Sequence, residues 1–311
     1  MQTNLSVIVV NWNTRKLLEN CLFSIFKFTK GISFEVIVVD NGSIDSSPQM
    51  VKKKFPQVKL ILNKENLGFT KANNQGIKVA KGKYILLLNS DTYLIENALG
   101  KLVKRADGLS KRGPTPKVVR PLRGLGALGP LLLNENRSVQ QSVGFFPHLP
   151  QIFWWMSFID DLPRGDLLRP YHVDHDSFYQ KEQPVDWVTG AAILVPKKVI
   201  QKIGGFDENI FMYGEEVDWC YRIKKAGFDV YFSPVAKIVH IGRGSTGQIS
   251  QNAILGEYKG LIYFYQKHKG KFSLQIALFL LKMGALLRII VFSILGRKEL
   301  VSSYVAAFTA V

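Results

Sequence analysis

Two cysteines, Cys21 and Cys220, are all that 311 residues contain. Two thiols make neither a disulfide framework nor a four-ligand zinc site, and a reducing compartment suits such a chain best. Acidic residues are scarce as well: 24 Asp and Glu stand against 41 Lys and Arg, a formal charge of +17. A chain so basic is drawn to a polyanionic neighbour: nucleic acid, an anionic membrane surface or a phosphorylated substrate. No recognition-helix or RNA-binding motif accompanies the charge, which weighs against the first. The first residues do not read as a secretory signal, because Val7–Val10 is too short an apolar run and no basic run precedes it. Against these shortages stands 47% hydrophobic and 12% aromatic content, enough for a folded protein with a sizeable core.

The apolar residues are arranged in a repeating order. Tyr84–Leu88 is a continuous apolar run of strand length, as expected of a strand buried on both faces, and Leu5–Val10 and Phe34–Val39 are β-branched-rich runs that read as strands too. Each ends abruptly in polar residues: Asn11-Trp12-Asn13-Thr14, Asp40-Asn41-Gly42-Ser43 and Asn89-Ser90-Asp91. Val58–Leu62 is a fourth strand by the same reading. Between them, Leu18, Leu22, Ile25 and Phe26 recur at helical spacing, Pro48 opens a second helix and Lys71–Ala80 forms a third. Strands alternating with helices at this spacing predict right-handed βαβ units and a mostly parallel sheet. Open sheets of this kind bind ligands beyond the carboxyl ends of their strands, which is where the polar clusters fall. A carboxylate at Asp91 suits a hard divalent cation and its diphosphate, although Asn, Ser and Asp also end strands as simple turns.

Further along, Lys101–Arg123 is rich in Lys, Arg, Gly and Pro and predicts a helix end followed by a mobile basic loop. Leu125–Leu133 resumes as a strand, and the aromatic stretch Phe145–Ile159 reads as core first and as an apolar patch for lipid or acceptor second. Glu215, Glu216 and Asp218 open an amphipathic helix that Gly227 closes. Acids favour a helix N-terminus, but three within four residues repel one another, raise at least one pKa and favour a cation or base role. Val230–Phe232 and Lys237–Val239 read as two strands, followed by His240, a metal-ligand candidate, and a glycine-rich loop through Thr246.

The last apolar segment, Leu274–Leu295, is long enough to span a bilayer. Lys282 and Arg288 near its middle each cost about 2.5–3.5 kcal/mol there, against about 0.3–0.6 kcal/mol returned by each Leu, Ile, Phe or Val. The sum is near zero. That balance favours a helix lying on the membrane with its cations at the headgroups, or one packed on the protein, over a stable span.

Taken in order, Ser6-Val7-Ile8-Val9-Val10-Asn11-Trp12-Asn13, Val38-Val39-Asp40-Asn41-Gly42-Ser43, Asn66-Leu67-Gly68-Phe69 with Asn74, and Leu88-Asn89-Ser90-Asp91 form one series. Gly204-Gly205-Phe206-Asp207-Glu208, Phe211-Met212-Tyr213-Gly214-Glu215-Glu216-Val217-Asp218 and His240 continue it. The series resembles family 2 glycosyltransferases of the GT-A fold, in the branch that includes bacterial rhamnosyltransferases, over Leu5–Thr246. The resemblance implies an α/β, Rossmann-like, mostly parallel sheet flanked by helices. Residues 1–250 would form the transferase domain, with a nucleotide half at 1–100 and an acceptor half at 125–250. Residues 251–311 would be a C-terminal apolar or amphipathic helical segment.

It also implies site roles. Asn11, Asn13, Asp40, Asn41, Gly68, Asn74, Asn89 and Asp91 fall on the donor side. Asp91 stands in the family's Asp-X-Asp motif and, with His240, would hold Mg²⁺ or Mn²⁺; Asn89 replaces the first Asp. Glu216 aligns with the Asp of the family's Glu-Asp pair and is the chosen general base, with Glu215 and Asp218 as alternatives. Trp187, Gly190 and Arg222 fall on the acceptor or phosphate side. Pro196-Lys197 departs from relatives that carry Arg there. The implied activity is inverting, metal-assisted transfer from a nucleotide-diphosphate sugar to a glycan or lipid-linked acceptor at the inner face of the plasma membrane. Two alternatives of other classes are a basic nucleic-acid-binding protein and a non-catalytic membrane scaffold. Nucleotidyl transfer, a closer rival, calls for a glycine-rich loop after the first strand, and Asn11-Trp12-Asn13-Thr14 has no glycine.

Overall fold

The computed structural model describes residues 3–110, 124–159, 169–242 and 251–311. The basic stretch 111–123 and the glycine-rich stretch 243–250, both read above as loops, lie outside them. The first half alternates as expected: β1 (Leu5–Asn11), α1 (Arg15–Phe28), β2 (Phe34–Asp40), α2 (Ser47–Lys54), β3 (Lys59–Leu62), α3 (Phe69–Val79), β4 (Tyr84–Asn89) and β5 (Thr92–Leu94). The chain continues through α4 (Ala98–Ser110), β6 (Leu125–Leu133), β7 (Val143–Gly144), α5 (Leu149–Met156), β8 (Gln183–Val185), β9 (Trp187–Val188) and β10 (Ala192–Pro196). It ends with α6 (Lys197–Ile203), α7 (Glu215–Lys225), β11 (Asp229–His240), α8 (Gln251–His268), α9 (Lys271–Ile294) and α10 (Lys298–Ala310).

The main sheet has the order β3-β2-β1-β4-β10-β6-β11-β5, with β8 paired to β11. Strands β3, β2, β1 and β4 run parallel, and β10 lies antiparallel between β4 and β6. The chain moves outward from β1 to β3 and then returns to place β4 on the other side of β1. That reversal puts a crevice at the carboxyl ends of β1 and β4, where open α/β sheets take their ligands. Register fixes the rim: Asn11 pairs with Asp40, and Val10 pairs with Asn89.

Two expectations change in detail. Val230–Phe232 and Lys237–Val239 form one long strand, β11, because its register against β6 shifts between Ser233 and Lys237 without ending the pairing. Arg288, expected at the headgroups, turns inward and is 4% exposed. Its guanidinium donates to the carbonyls of Met156 (2.7 Å) and Trp155 (2.5 Å) at the C-terminus of α5 and lies 4.3 Å from the centre of the Phe158 ring. Unsatisfied carbonyls at a helix end attract a cation, so the buried charge is matched. Lys282 remains exposed, above the Phe308 ring. The aromatic stretch reaches the core only in part: Phe146, Ile152 and Met156 are buried and Trp155 packs on Tyr171 and Tyr258, while Phe153 is exposed. Cys21 and Cys220 are buried free thiols.

Candidate active site

Two cavities open near this rim. The first, about 110 Å³, is lined by Val10, Trp12, Thr14, Asn41, Asn66, Gly68, Phe69, Asn89, Ser90, Asp91, Phe211 and Met212. Its floor is braced by buried polar pairs. Asn11 is fully buried and donates from Nδ2 to Asp40 Oδ2 at 2.8 Å, while Asp40 Oδ1 accepts the Ser43 N–H at 2.9 Å. Asn13, in the left-handed region at φ 54°, accepts the Ile44 N–H, and Asn41 Nδ2 donates to the Gly68 carbonyl at 3.1 Å. Gly68 has φ 88°, and a Cβ there would sit 2.6 Å from the Phe211 ring, so only glycine fits this wall.

At one edge β5 and β11 pair antiparallel, His240 opposite Thr92, and the Ile241 N–H donates to the Asp91 carbonyl. This brings His240 Nε2 to 3.2 Å from Asp91 Oδ1 and 3.5 Å from Asn89 Nδ2. Nδ1 of His240 lies 2.7 Å from Gln140 Oε1, which can only accept, so Nδ1 carries the proton and Nε2 keeps its lone pair toward Asp91 when the ring is neutral. Asn89 Oδ1 is buried with no hydrogen-bond partner. A carboxylate, an oriented imidazole and an orphaned amide oxygen suit a divalent cation that takes its other oxygens from a diphosphate and water. Among the described residues no group of three or more His, Cys, Asp or Glu is placed to hold an ion by itself, in keeping with that sharing.

The second cavity, about 260 Å³, is lined by residues from five segments, among them Gln141, Tyr171, His172, Trp187, Thr189, Tyr213, Glu216 and Glu257. Thr189-Gly190-Ala191 runs between it and the first: the Ala191 carbonyl accepts the Asn89 N–H, Gly190 lies against Glu215 and Phe69, and Thr189 lines the second cavity. Met212 and Tyr213, adjacent in the chain, face one cavity each.

The three acids of α7 part company here. Glu216 reaches the second cavity, and its Oε2 is buried without a partner. Burial pushes its pKa up, backbone N–H groups of Glu216 and Gly190 oppose this, and the Glu257 charge adds to the rise. Glu215 is 5% exposed, and burial together with the Glu216 charge lifts it well above the ordinary range. Asp218 points away from both cavities into a charged knot. Its Oδ2 accepts from Arg222 Nε at 2.8 Å, and its Oδ1 from Lys267 Nζ and His268 Nε2, both at 2.7 Å. Burial works to raise the Asp218 carboxyl, but these three partners outweigh it and hold it below the usual range.

Several residues assigned to the site in the sequence therefore brace it. Arg222 spends its other N–H groups on the carbonyls of Ile203 and Gly205, and it lines neither cavity. Asn74 clamps the backbone of Phe206 from both sides, donating to its carbonyl and accepting its N–H, each at 2.9 Å. Trp187 does line the second cavity, while Gly190 sits in the partition. Sequence reasoning missed Gln140, His172 and Glu257. None stands in a periodic run or beside a turn signal, and each gains meaning only from a partner far along the chain.

Residues 6–152 match the family model for Glycosyl transferase family 2, and residues 163–254 match that for Glycosyltransferase like family 2. The chain is 28% identical over 278 residues to an N-acetylglucosaminyl-diphospho-decaprenol L-rhamnosyltransferase of Mycobacterium tuberculosis, covering 86% of this chain and 85% of that one. It is 35% identical over 108 residues to the glycosyltransferase GlyG of Streptococcus pneumoniae, 34% of this chain and 36% of that one. Among solved structures, the mannosyltransferase PcManGT of Pyrobaculum calidifontis, in complex with GDP-Man and Mn²⁺, superposes with a TM-score of 0.56 at 15% identity, covering 100% of this chain and 86% of that one. GalNAc-T7 with UDP, GalNAc and Mn²⁺ gives 0.58 at 17% identity and 85% coverage of this chain, which spans only 48% of that one. The fold shared with these structures is GT-A, and the chain belongs to glycosyltransferase family 2.

Proposed function

We propose that the protein moves a sugar, rhamnose foremost, from a nucleoside-diphosphate donor to a lipid-linked glycan acceptor with inversion at the anomeric carbon. The observation that carries this is the partition: one cavity holds Asp91 beside His240, and across Thr189–Ala191 another holds a carboxylate oxygen with no partner. The first suits a diphosphate and the second an acceptor hydroxyl. Asp40 and Asn41 form the nucleoside end, kept rigid by Asn11 and Ser43. Asp91, His240 and Asn89 would hold Mg²⁺ or Mn²⁺. When bound, the cation offsets the charge that builds on the departing diphosphate.

Glu216 Oε2 takes the proton of the acceptor hydroxyl as that oxygen attacks. Its raised pKa suits a group that must accept a proton near neutrality. A single displacement from the face opposite the leaving diphosphate inverts the centre. The rhamnosyltransferase relative, named for a lipid-diphosphate acceptor, supports the choice of sugar and acceptor. We read the +17 charge as attraction to diphosphates and anionic lipid rather than to nucleic acid. Residues 1–250 carry the donor site and Glu216, while in the helical segment 251–311 α8 closes the second cavity and α9 meets the membrane at its cytoplasmic face. There the outer side of α9 presents Phe272, Phe279, Met283, Ile290 and Ile294.

Thermal unfolding with deoxythymidine diphosphate rhamnose, with and without Mn²⁺, tests the donor site. A ligand at 100 times its Kd adds about 2.7 kcal/mol. The wild type is expected to gain stability from the pair together, and Asp91→Ala to lose that gain along with turnover. Retained turnover in Asp91→Ala would overturn the cation site, and a product of unchanged anomeric configuration would overturn the single displacement.

A further inference from the structure

His172 and Glu257 have no part in the chemistry above. His172 precedes the short 3-10 turn at Asp176–Gln180, and Glu257 lies on α8, beyond the sheet altogether. They meet with His172 Nε2 at 2.7 Å from Glu257 Oε1, and both line the cavity that Glu216 enters. The imidazole is held edge-on by Tyr171, at 4.4 Å between ring centres, and by Trp187, at 5.4 Å. Its direction is therefore set by packing. Side-chain exposures of 36% and 29% leave both groups within reach of a ligand.

The charge in this cavity decides what it receives. Two carboxylates, Glu216 and Glu257, face one histidine, which is at most singly charged. That field disfavours an anion inside the cavity and suits the neutral polyhydroxy ring of the acceptor, whose O–H groups donate to carboxylate oxygens while its diphosphate stays outside. Trp187 and Tyr171, both nearly buried, line the cavity and hold its histidine in place. After burial and its backbone hydrogen bonds, Glu216 also feels the charge of Glu257, so the two acids are electrostatic neighbours.

We propose that the His172–Glu257 pair is a clamp for the acceptor sugar, taking hydroxyl hydrogen bonds from a neutral pyranose and turning one hydroxyl toward Glu216. The pair acts by positioning, and it makes α8 part of the acceptor site. The inference rests on Glu216 being the base.

The test is steady-state kinetics of the full chain with saturating donor. The acceptor is N-acetylglucosaminyl diphosphate carrying a short prenyl chain. Glu257→Gln is expected to raise the acceptor KM about 10- to 30-fold, the loss of one charge-assisted hydrogen bond. Donor KM and Mn²⁺-dependent thermal stabilisation should stay at wild-type values, with kcat within about threefold. His172→Ala should raise the acceptor KM similarly and His172→Gln recover part of it, since an amide still donates to Glu257. An unchanged acceptor KM in both Glu257→Gln and His172→Ala overturns the clamp. Glu216→Gln judges the base separately: if it stops transfer while the clamp variants keep a wild-type KM, only the clamp falls.

Discussion

Asp218→Asn separates a structural acid from the proposed base, Glu216, on the same helix. The Asp218 side chain is 1% exposed and accepts hydrogen bonds from Arg222, Lys267 and His268, which ties α7 to the end of α8. Removing one partner of a buried ion pair costs about 3–5 kcal/mol. The lower end applies here, because Lys267 keeps Asp207 and Arg222 keeps the Ile203 and Gly205 carbonyls. At about 2 °C per kcal/mol for a chain of this size, the melting temperature should fall by about 6 °C. Turnover at 25 °C should stay within about twofold of wild type, since Asp218 lines neither cavity. Glu216→Gln should do the reverse: a loss of about 10²–10⁴ in kcat from a missing general base, with no fall in melting temperature. Relieving a buried carboxylate of its charge does not destabilise the fold. Calorimetry and a donor-consumption assay on both variants decide the matter. An Asp218→Asn protein that melts like wild type but has lost turnover would refute the assignment and move the base to Asp218.

Two further outcomes follow from the same geometry. Glu216 must be ionised to act, and its pKa is raised, so kcat should fall on the acid side with an apparent pKa above the ordinary glutamate value of 4.5. Asp207 and Asp218 have lowered pKa values, so the stability they give is complete above the unfolded carboxyl value of about 4 and is lost as pH drops through the folded values. Acid melting curves should therefore steepen below about pH 4 in wild type and flatten in Asp218→Asn. On the outer side of α9, a helix long and apolar enough to cross a membrane, Phe279 and Ile290 are 63% and 51% exposed. Replacing both by Ser should weaken flotation with phosphatidylglycerol vesicles by about tenfold or more, at roughly 25 cal/mol per Å² of apolar surface withheld from lipid. Equal flotation of the two proteins would remove α9 as the contact.

Much of the sheet is legible in the sequence because its signals are local. An apolar run buried on both faces, such as Tyr84–Leu88, needs no distant partner to be read as a strand, and the polar residues that follow it mark the rim. The division of labour among Glu215, Glu216 and Asp218 is not local. All three carry the same charge within four positions, and their pKa values differ only through what folds around them: Lys267 and His268 from α8 for one, Gly190 and an empty stretch of cavity wall for another. Arg288 makes the same point. Transfer energies along the helix assign it to the headgroups, yet two free carbonyls at the end of α5 offer a better site.

Neighbouring residues along the chain suffice to read the alternating α/β order, the rim residues Asn11, Asp40 and Asn89, and the basic charge. Apolar periodicity and net charge are properties of neighbours along the chain. Only folding showed that Gln140 orients the His240 ring beside Asp91, that Asp218 and Arg222 brace rather than face a substrate, and that His172 and Glu257 share a cavity with Glu216. Those pairings join residues up to 151 positions apart, as for Asn89 and His240, and only the crossing of strands and the return of α8 bring them within a hydrogen bond's length.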